Sequence, residues 1–327
     1  MGSNGVTVKH CRFEDIGRSV HGGWSGSKDE YIADNVFIGR RNPDVLLSWI
    51  APELFGKLPG YPEINGPEGS EYTIKIYGQA HVVAYNRIIA FHDGIDIATY
   101  GDGGGPNYIE HRFSASVDIY GDDLNNTGDN CFETNGGGRN VRLFRNLCFN
   151  TAQPALSAQS SVGGPIYMFQ NLVYNNPTGS LKIASFSAGV LIYQITIIGD
   201  AHDWGGFSNL HFRNNIILGQ GASPEWGKPF PVAPLVFSVD TYTSYSSSDY
   251  NAFRPNPGAE TRFVWIGPAE GVLADYTGNR RQAVLQDARR VQPSDRSGSP
   301  QPAHRLRNVR ESFYAGSQRS FPHLQTG

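Results

Sequence analysis

Apolar and polar residues recur along this chain in the pattern apolar-x-apolar-x-x-Asn-apolar. The Asn of this pattern stands at Asn35, Asn86, Asn146, Asn171 and Asn215. In a weaker copy Asp122 takes the Asn position, and from it the pattern advances by 24 residues to Asn146 and by 25 more to Asn171. A fixed period of this length indicates stacked supersecondary units.

The repeating element is a strand. Each copy alternates apolar and polar residues over about four positions, which is the period of a half-buried strand. A second and a third short apolar run follow, as in Leu147-Cys148-Phe149 and Ala155-Leu156-Ser157. Three short strands in roughly 24 residues make one coil of a solenoid, hydrogen-bonded to the coils on either side. We predict a structural role for the Asn, whose amide can bond the Asn one coil away and whose backbone tolerates left-handed geometry.

Several segments resemble a known class of solenoid. They are Asp129-Asn130-Cys131-Phe132-Glu133 leading through Gly136-Gly137-Gly138 to Asn140-Val141-Arg142, Gly163-Gly164-Pro165-Ile166-Tyr167 with Asn171-Leu172-Val173-Tyr174-Asn175, and Ser248-Asp249-Tyr250-Asn251. Over roughly residues 5–255 the chain resembles the right-handed parallel β-helix proteins of the pectin lyase-like superfamily, and in particular their right-handed parallel β-helix repeat-containing members. The resemblance implies an all-β fold, a single right-handed parallel β-helix. It leaves the reaction open, because that superfamily hosts lyases, hydrolases, esterases, epimerases and non-catalytic fibres.

Composition agrees with a solenoid that has many tight turns. The 327 residues include 39 Gly and 20 Pro, and only 17% are charged. No apolar window is long enough to span a membrane. No signal peptide opens the chain, and residues 6–13 already have the pattern of a coil. We therefore expect a truncated N-terminus, and a secreted, periplasmic or cell-surface protein. Cys131 and Cys148 lie in apolar runs and are predicted to be buried packing residues.

Charge divides the chain into two parts. Residues 280–327 contain nine Arg and three acidic residues, which leaves a net charge of -9 on the remainder. This tail has almost no apolar periodicity, so we predict a β-helix over residues 1–279 and a disordered basic tail over residues 280–327. An acidic body without a basic stripe argues against nucleic acid as a partner.

Two departures from the period mark insertions. Residues 43–69 hold Trp49 and several Pro residues, and the 36-residue step from Asn86 to Asp122 contains Tyr100 and a Gly run. Insertions in a solenoid protrude as loops and often line the binding face. Trp49 and Tyr100 are therefore candidate substrate-binding residues, although a loop that only packs over an edge is an equal alternative.

Alignment of the coils after the Asn bend brings polar residues together. It places Asp96, Glu133, Ser157 and Lys182 in one outward column, with His92 and Asp129 in a parallel column. Stacked side chains on adjacent coils lie roughly 5 Å apart. Two acids at that separation repel each other, so one keeps its proton or both hold a cation. The predicted catalytic residues are His92, Asp96, Asp129, Glu133 and Lys182, and Asp93, Asn130 and Arg139 are predicted to bind substrate.

Three functions use such a site. A hydrolase needs one protonated carboxyl group and a second carboxylate that activates water or attacks. A uronate lyase needs a cation or Arg for the sugar carboxylate and a base such as Lys. A binding protein needs only carboxylates and aromatic rings. The partner expected for an enzyme is a polysaccharide of an acidic or plant type, and the alternative is a non-catalytic carbohydrate-binding or structural surface β-helix.

The segments 92–96 and 129–131 resemble, at a distance, the acidic segments of polygalacturonases. Asn130 stands where the second Asp of a pair is expected, and no Gly-His-Gly or Arg-x-Lys segment follows. Each candidate also has a non-functional interpretation. Lys182 and Arg139 would then be surface charges, and His92 and Asp129 would be turn residues. Asp122 and Asp123, at the Asn-bend position, are predicted either to be structural or to hold calcium, the one cofactor that the sequence suggests.

Overall fold

The computed structural model describes most of the predicted solenoid. It describes residues 4–22, 26–39, 70–97, 114–151, 153–159, 161, 164–176, 179–184, 187–199, 201–202, 208–219, 235–243, 246–254, 262–268, 280–285 and 290–291. The loop predicted over residues 43–69 lies outside these ranges. Within them no residue is helical, and the strands form four sheets.

Sheets 1 and 2 are the longest of these sheets. The strands of sheet 1, in spatial order, are β1 (Thr7–Lys9), β4 (Tyr31–Ala33), β7 (Val82–Ala84), β10 (Ala115–Tyr120), β13 (Arg139–Phe144), β16 (Ile166–Phe169), β19 (Ala188–Tyr193), β22 (Ser208–Arg213), β25 (Ser247–Asp249) and β29 (Arg290–Val291). Those of sheet 2 are β2 (Arg12–Glu14), β5 (Val36–Ile38), β8 (Arg87–Ile89), β11 (Asp123–Asn125), β14 (Leu147–Phe149), β17 (Leu172–Tyr174), β20 (Thr196–Ile198), β23 (Ile216–Leu218) and β26 (Ala252–Arg254).

Sheets 3 and 4 complete the coils. The strands of sheet 3 are β3 (Val20–Gly22), β6 (Tyr72–Ile76), β9 (Asp93–Asp96), β12 (Phe132–Glu133), β15 (Leu156–Gln159) and β18 (Leu181–Ala184). Those of sheet 4 are β21 (Ala201–His202), β24 (Leu235–Asp240), β27 (Arg262–Pro268) and β28 (Arg280–Leu285).

Strands β1 to β27 wind through these sheets as nine coils, each with one strand in sheet 1, one in sheet 2 and one in sheet 3 or 4. Every pairing between successive coils is parallel. The chain is therefore a single parallel β-helix, as predicted. The right-handed winding implied by the resemblance is the one that parallel crossover connections nearly always adopt.

The core of the solenoid follows from the alternation within its short strands. In sheet 2 the middle residue of each strand points inward, so Phe37, Ile88, Leu124 and Val173 are buried while their neighbours face outward. Because each coil repeats this alternation, the inward residues stack into columns that run along the helix. Burial of such a stacked column is the main stabilising term of the fold.

The Asn ladder that the sequence predicts is present. The Nδ2 atom of Asn35 donates to Oδ1 of Asn86 at 3.0 Å, and Nδ2 of Asn146 donates to Oδ1 of Asn171 at 3.1 Å. Each Nδ2 also donates to a carbonyl of sheet 1 on the preceding coil, as from Asn171 to Leu143 at 2.9 Å. The ladder thus satisfies buried polar groups at the bend between sheets 1 and 2.

We expected the Asn itself to adopt the left-handed conformation at this bend. The structure instead gives that conformation to the residue before the Asn. Arg145, Gln170 and Asn214 have φ values of 57°, 58° and 57°. The bend needs one left-handed residue, and placing it before the Asn leaves the Asn side chain pointing inward to make the ladder.

Replacing Asn171 by Ala is expected to lower the free energy of unfolding by about 3 kcal/mol, because each buried group left unpaired costs about 1–3 kcal/mol. Asn171 is 2% exposed and accepts hydrogen bonds from both the backbone N–H and Nδ2 of Asn146. Urea unfolding followed by far-UV circular dichroism measures the change. Exposed Asn4, replaced in the same way, is the control and should change stability by less than about 0.5 kcal/mol. Equal effects at the two positions would show that the ladder adds nothing.

The cysteines are buried as predicted, but they also bond to each other. Cys131 precedes β12 in one coil, Cys148 lies in β14 of the next, and a disulfide joins them across 17 residues of sequence. Sequence analysis gave them only a packing role, because a chain with three cysteines does not show by its sequence which two would pair. Cys11 is free and exposed.

The C-terminal part of the described chain adds two antiparallel strands. β28 pairs with β27, and β29 pairs with β25. Both therefore pair with strands of the last coil. β28 and β29 themselves lie in the segment from residue 280 that the sequence predicts to be a tail. The chain divides into one compact unit, Met1–Pro293, and a second, Ser294–Gly327, which lies outside the described residues. Nothing helical in the described ranges could cross a membrane.

Candidate functional site

Polar side chains gather on the outer face of sheet 3, where the strands of successive coils carry acids in matching positions. Ile95 and Phe132 point into the core and pair with each other across β9 and β12. The next residues along these strands, Asp96 and Glu133, therefore point outward and are paired in register. This confirms the predicted stacking of the two acids on adjacent coils.

The column extends further than these two residues. Its members, in register from one strand to the next, are His21, Lys75, Asp96, Glu133, Ser157 and Lys182. The predicted order of its last four members is confirmed. The side chains in the middle of the column point outward but are not open to solvent, since Asp96 and Ser157 are wholly buried and Glu133 is 8% exposed. We refer to the acids of this face, Asp93, Asp96, Asp129 and Glu133, as the carboxylate cluster.

His92 and Asp129 stack in the parallel column that the sequence predicts, since the backbone N–H of Asp129 donates to the carbonyl of His92 at 2.7 Å. Gly94 permits this close approach between coils. A Cβ at Gly94 would lie 2.3 Å from the Cys131 carbonyl oxygen, so a larger residue would push the two coils apart. The glycine thus keeps Asp93 and Asp96 close to the acids of the next coil.

Lys75 is a member of the site that sequence analysis missed. Its Nζ lies 2.9 Å from Oδ2 of Asp96 and 3.8 Å from the centre of the Tyr72 ring. Burial lowers the pKa of Lys75, but attraction to Asp96 and a hydrogen bond with it outweigh burial and raise that pKa above its usual value. Lys75 therefore stays charged beside Asp96.

Glu133 is oriented by a polar network on its own coil and the next. Nδ2 of Asn135 donates to Oε1 of Glu133, while Oδ1 of Asn135 accepts from the Ser157 hydroxyl at 2.7 Å and from the Gln159 backbone at 2.6 Å. Because Asn135 is fixed by the following coil, the Glu133 carboxylate is held in one orientation.

Burial and mutual repulsion set the ionisation of this face. The pKa of Asp93 is raised well above its usual value by burial and then by the charges of Glu133, Asp129 and Asp96, with Lys75 opposing. Burial lowers the pKa of His92, although Asp129 opposes that shift. Asp93 thus favours the neutral acid, and His92 favours the neutral imidazole.

Two more predicted residues border the cluster. Lys182 places its Nζ 3.9 Å from Oδ1 of Asp129, and their side chains are 15% and 28% exposed, so Asp129 is the most accessible acid of the cluster. Asn130 is wholly buried and donates to the Pro154 carbonyl, which gives it a role in joining coils.

Three predicted substrate-binding residues are not part of this arrangement as the structure describes it. Arg139 is exposed at the start of β13 in sheet 1, a different sheet from the cluster. Trp49 and Tyr100 lie outside the described residues, as do the loops that were predicted to line the site.

Asp122 and Asp123, which were predicted either to be structural or to hold calcium, lie away from the carboxylate cluster. Asp122 belongs to the Asn ladder, where its Oδ1 accepts from the backbone N–H and from Nδ2 of Asn86 at 2.7 and 2.9 Å. Asp123 lies in sheet 2, between Arg87 and Leu147 of the adjacent coils. Within the described ranges, His92, Asp93 and Asp129 form the one group of three metal-ligating side chains close enough to share an ion. The ladder contacts of Asp122 support the structural alternative, calcium binding at Asp122 and Asp123 stays a prediction, and the described group with ligand geometry lies on sheet 3.

The chain matches no protein-family model, and no curated protein and no solved structure is significantly similar to it. Its functional assignment therefore depends on the geometry of the carboxylate cluster.

Proposed function

We propose that this protein is a polysaccharide-acting enzyme that hydrolyses glycosidic bonds at the carboxylate cluster. The observation that carries the proposal is the register of Asp96 with Glu133, with Asp93 and Asp129 beside them on the same two coils. Stacking acids on adjacent coils is unfavourable for stability because the charges repel. Such an arrangement is characteristic of sites where the acids perform chemistry.

Hydrolysis fits this geometry better than elimination. A lyase whose base is a Lys needs that Lys to be neutral, whereas Lys75 is held charged by Asp96 and Lys182 faces Asp129. His92 is the neutral base that remains for elimination. A hydrolase needs two carboxyl groups on either side of the scissile bond. The carboxylate cluster supplies such groups on adjacent coils, with Asp129 and Glu133 on one coil and Asp93 and Asp96 on the coil before it.

The residues differ in what they can contact. Asp96 is wholly buried against Lys75, so it acts by positioning its neighbours and by contributing charge. Glu133, oriented by Asn135 and 8% exposed, is the group that transfers a proton to or from the glycosidic oxygen. Asp129, the most accessible acid of the cluster, supplies the carboxylate that positions the attacking water.

The substrate proposed is an acidic or plant-type polysaccharide met outside the cytoplasm. A disulfide between Cys131 and Cys148 supports this location, because such bonds persist in oxidising compartments. The stacked coils also present an elongated flank, which suits a polymer better than a small molecule.

A second candidate is a carbohydrate-binding or structural β-helix without activity. The burial of Asp96 in an ion pair with Lys75 favours it, since a closed pair of this kind also occurs in purely structural networks. Product analysis separates the two candidates.

The test is to incubate the protein with a panel of uronate-containing and neutral polysaccharides. New reducing ends without the ultraviolet absorbance of an unsaturated uronate are expected, because hydrolysis adds water across the bond. Unsaturated products would identify a lyase and overturn the proposal. Binding to a glycan without any cleavage across the panel would favour the second candidate.

A further inference from the structure

The carboxylate cluster brings four acids together on two adjacent coils. Among the described residues, Lys75 pairs with Asp96 and Lys182 lies near Asp129. Three of the acids are less than 9% exposed, so water offsets little of their charge. Buried charges need a partner. A bound cation is one partner that can serve several acids at once.

The four acids differ in the ion pairs and hydrogen bonds that the described residues make with them. Asp96 has the ion pair with Lys75, and Glu133 accepts a hydrogen bond from Asn135. Asp93 is 6% exposed, and its carboxylate has no hydrogen bond and no ion pair in the part of the chain that the structure describes. A buried acid without such a partner, placed beside two further ligand groups, indicates that something else binds there.

The two further ligand groups are His92 and Asp129. One ligand atom from each of His92, Asp93 and Asp129 lies within 4.8 Å of the other two. Ligands at about 2.1 Å from a tetrahedral ion are about 3.4 Å apart, so small side-chain rotations would bring all three onto one ion. The backbone already fixes two of them on adjacent coils through the bond from Asp129 to His92.

We infer that His92, Asp93 and Asp129 bind a divalent transition-metal ion, one that accepts an imidazole nitrogen together with carboxylate oxygens. Calcium fits this set poorly, because it prefers six to eight oxygen ligands. Zinc, manganese and ferrous ions accept the mixed set. The inference deepens the proposed function, since such an ion would activate the water positioned beside Glu133.

Metal binding can be measured without any glycan. Chelator-treated protein is titrated with Mn²⁺, and free Mn²⁺ is followed by electron paramagnetic resonance, with Zn²⁺ and Ca²⁺ as competitors. We expect one equivalent to bind and Zn²⁺ to displace it, while millimolar Ca²⁺ does not. His92→Gln and Asp129→Asn should each weaken Mn²⁺ binding by about 10–100-fold or more, since even changes to groups behind the ligands have effects of that size.

Matched controls are His211→Gln and Asp118→Asn, which change the same residue types in sheet 1, and neither should alter the affinity. Melting curves of every variant verify folding. Three results would overturn the inference: no Mn²⁺ binding to the folded wild type, equal affinity in the ligand variants, or displacement by Ca²⁺ with His92→Gln unaffected. Glycan cleavage by a protein that binds no Mn²⁺ would remove the metal site and leave the proposed function intact.

Discussion

Replacing Glu133 by Gln is expected to lower kcat/KM on the cleaved polysaccharide by about 10²–10⁴-fold, the usual contribution of a group that transfers a proton. Gln keeps the shape of the side chain and keeps an oxygen that can accept from Asn135, so the network around it is retained. The measurement is the rate of reducing-end formation by wild type and variant at saturating and limiting substrate. We expect the loss to fall on kcat more than on KM, because the lost interaction belongs to the transition state.

Two controls make this result interpretable. Glu14→Gln makes the same substitution on an exposed strand of sheet 2 and should leave the rate unchanged. The melting temperature of Glu133→Gln should stay close to that of wild type, which separates lost chemistry from lost folding. A folded Glu133→Gln variant with wild-type rates would place the chemistry outside the carboxylate cluster.

The fold and much of the site could be predicted because a solenoid converts sequence period into spatial position. Glu133, Ser157 and Lys182 each follow their own bend residue, Asp122, Asn146 or Asn171, by 11 residues, so their register follows by counting. Asp96 follows Asn86 by only 10 residues, so its register with Glu133 depends on matching Ile95-Asp96 to Phe132-Glu133.

Lys75 was missed because the insertion before it hides the period. Its strand pairs with β9 at a shift of 21 residues, as Lys75 with Asp96, instead of 24. A signal was present: Ile74-Lys75-Ile76 repeats the alternation of Ile95-Asp96-Ile97, with both pairs of Ile buried. Exposure could not be predicted either, because a strand pattern gives the direction of a side chain and not what covers it.

Sequence analysis offered a structural role and a calcium-holding role for Asp122, and its ladder hydrogen bonds support the structural role. It occupies an Asn position of the ladder, and its Oδ2 is buried with no hydrogen-bond partner among the described residues. In the neighbouring coils the equivalent atom is a donor, as Nδ2 of Asn86 to Ile32 and Nδ2 of Asn146 to Ile119. Register places the Val83 carbonyl at the equivalent position for Asp122.

A protonated Asp122 can donate to that carbonyl, and an ionised one cannot. Burial raises the pKa of Asp122 from 3.8 to about 7, although the hydrogen bonds from Asn86 oppose the shift. The groups that face it are uncharged at neutral pH, namely the ladder amides and Tyr120. The neighbouring charge in sequence, Asp123, starts the next strand.

Asp122→Asn is therefore expected to stabilise the protein, and the gain should depend on pH. Near pH 4 and below, Asp122 is protonated in the folded chain, and wild type and variant should differ little. As pH rises from about 4 to about 7, the unfolded chain releases the proton that the folded chain still holds, so wild-type stability falls relative to the variant. Above pH 7 the gap should be constant at up to about 4 kcal/mol, since each pKa unit corresponds to about 1.36 kcal/mol.

Urea unfolding of both proteins between pH 4 and pH 8.5 measures this gap directly. Asp34→Asn, an exposed substitution beside the ladder residue Asn35, is the matched control and should stay within about 0.5 kcal/mol of wild type throughout. A gap of the same size at pH 4 and pH 8 would show that Asp122 does not change its proton on unfolding. The variant would then be gaining only the amide hydrogen bond to the Val83 carbonyl, and the buried acid would have no part in the pH dependence of this fold.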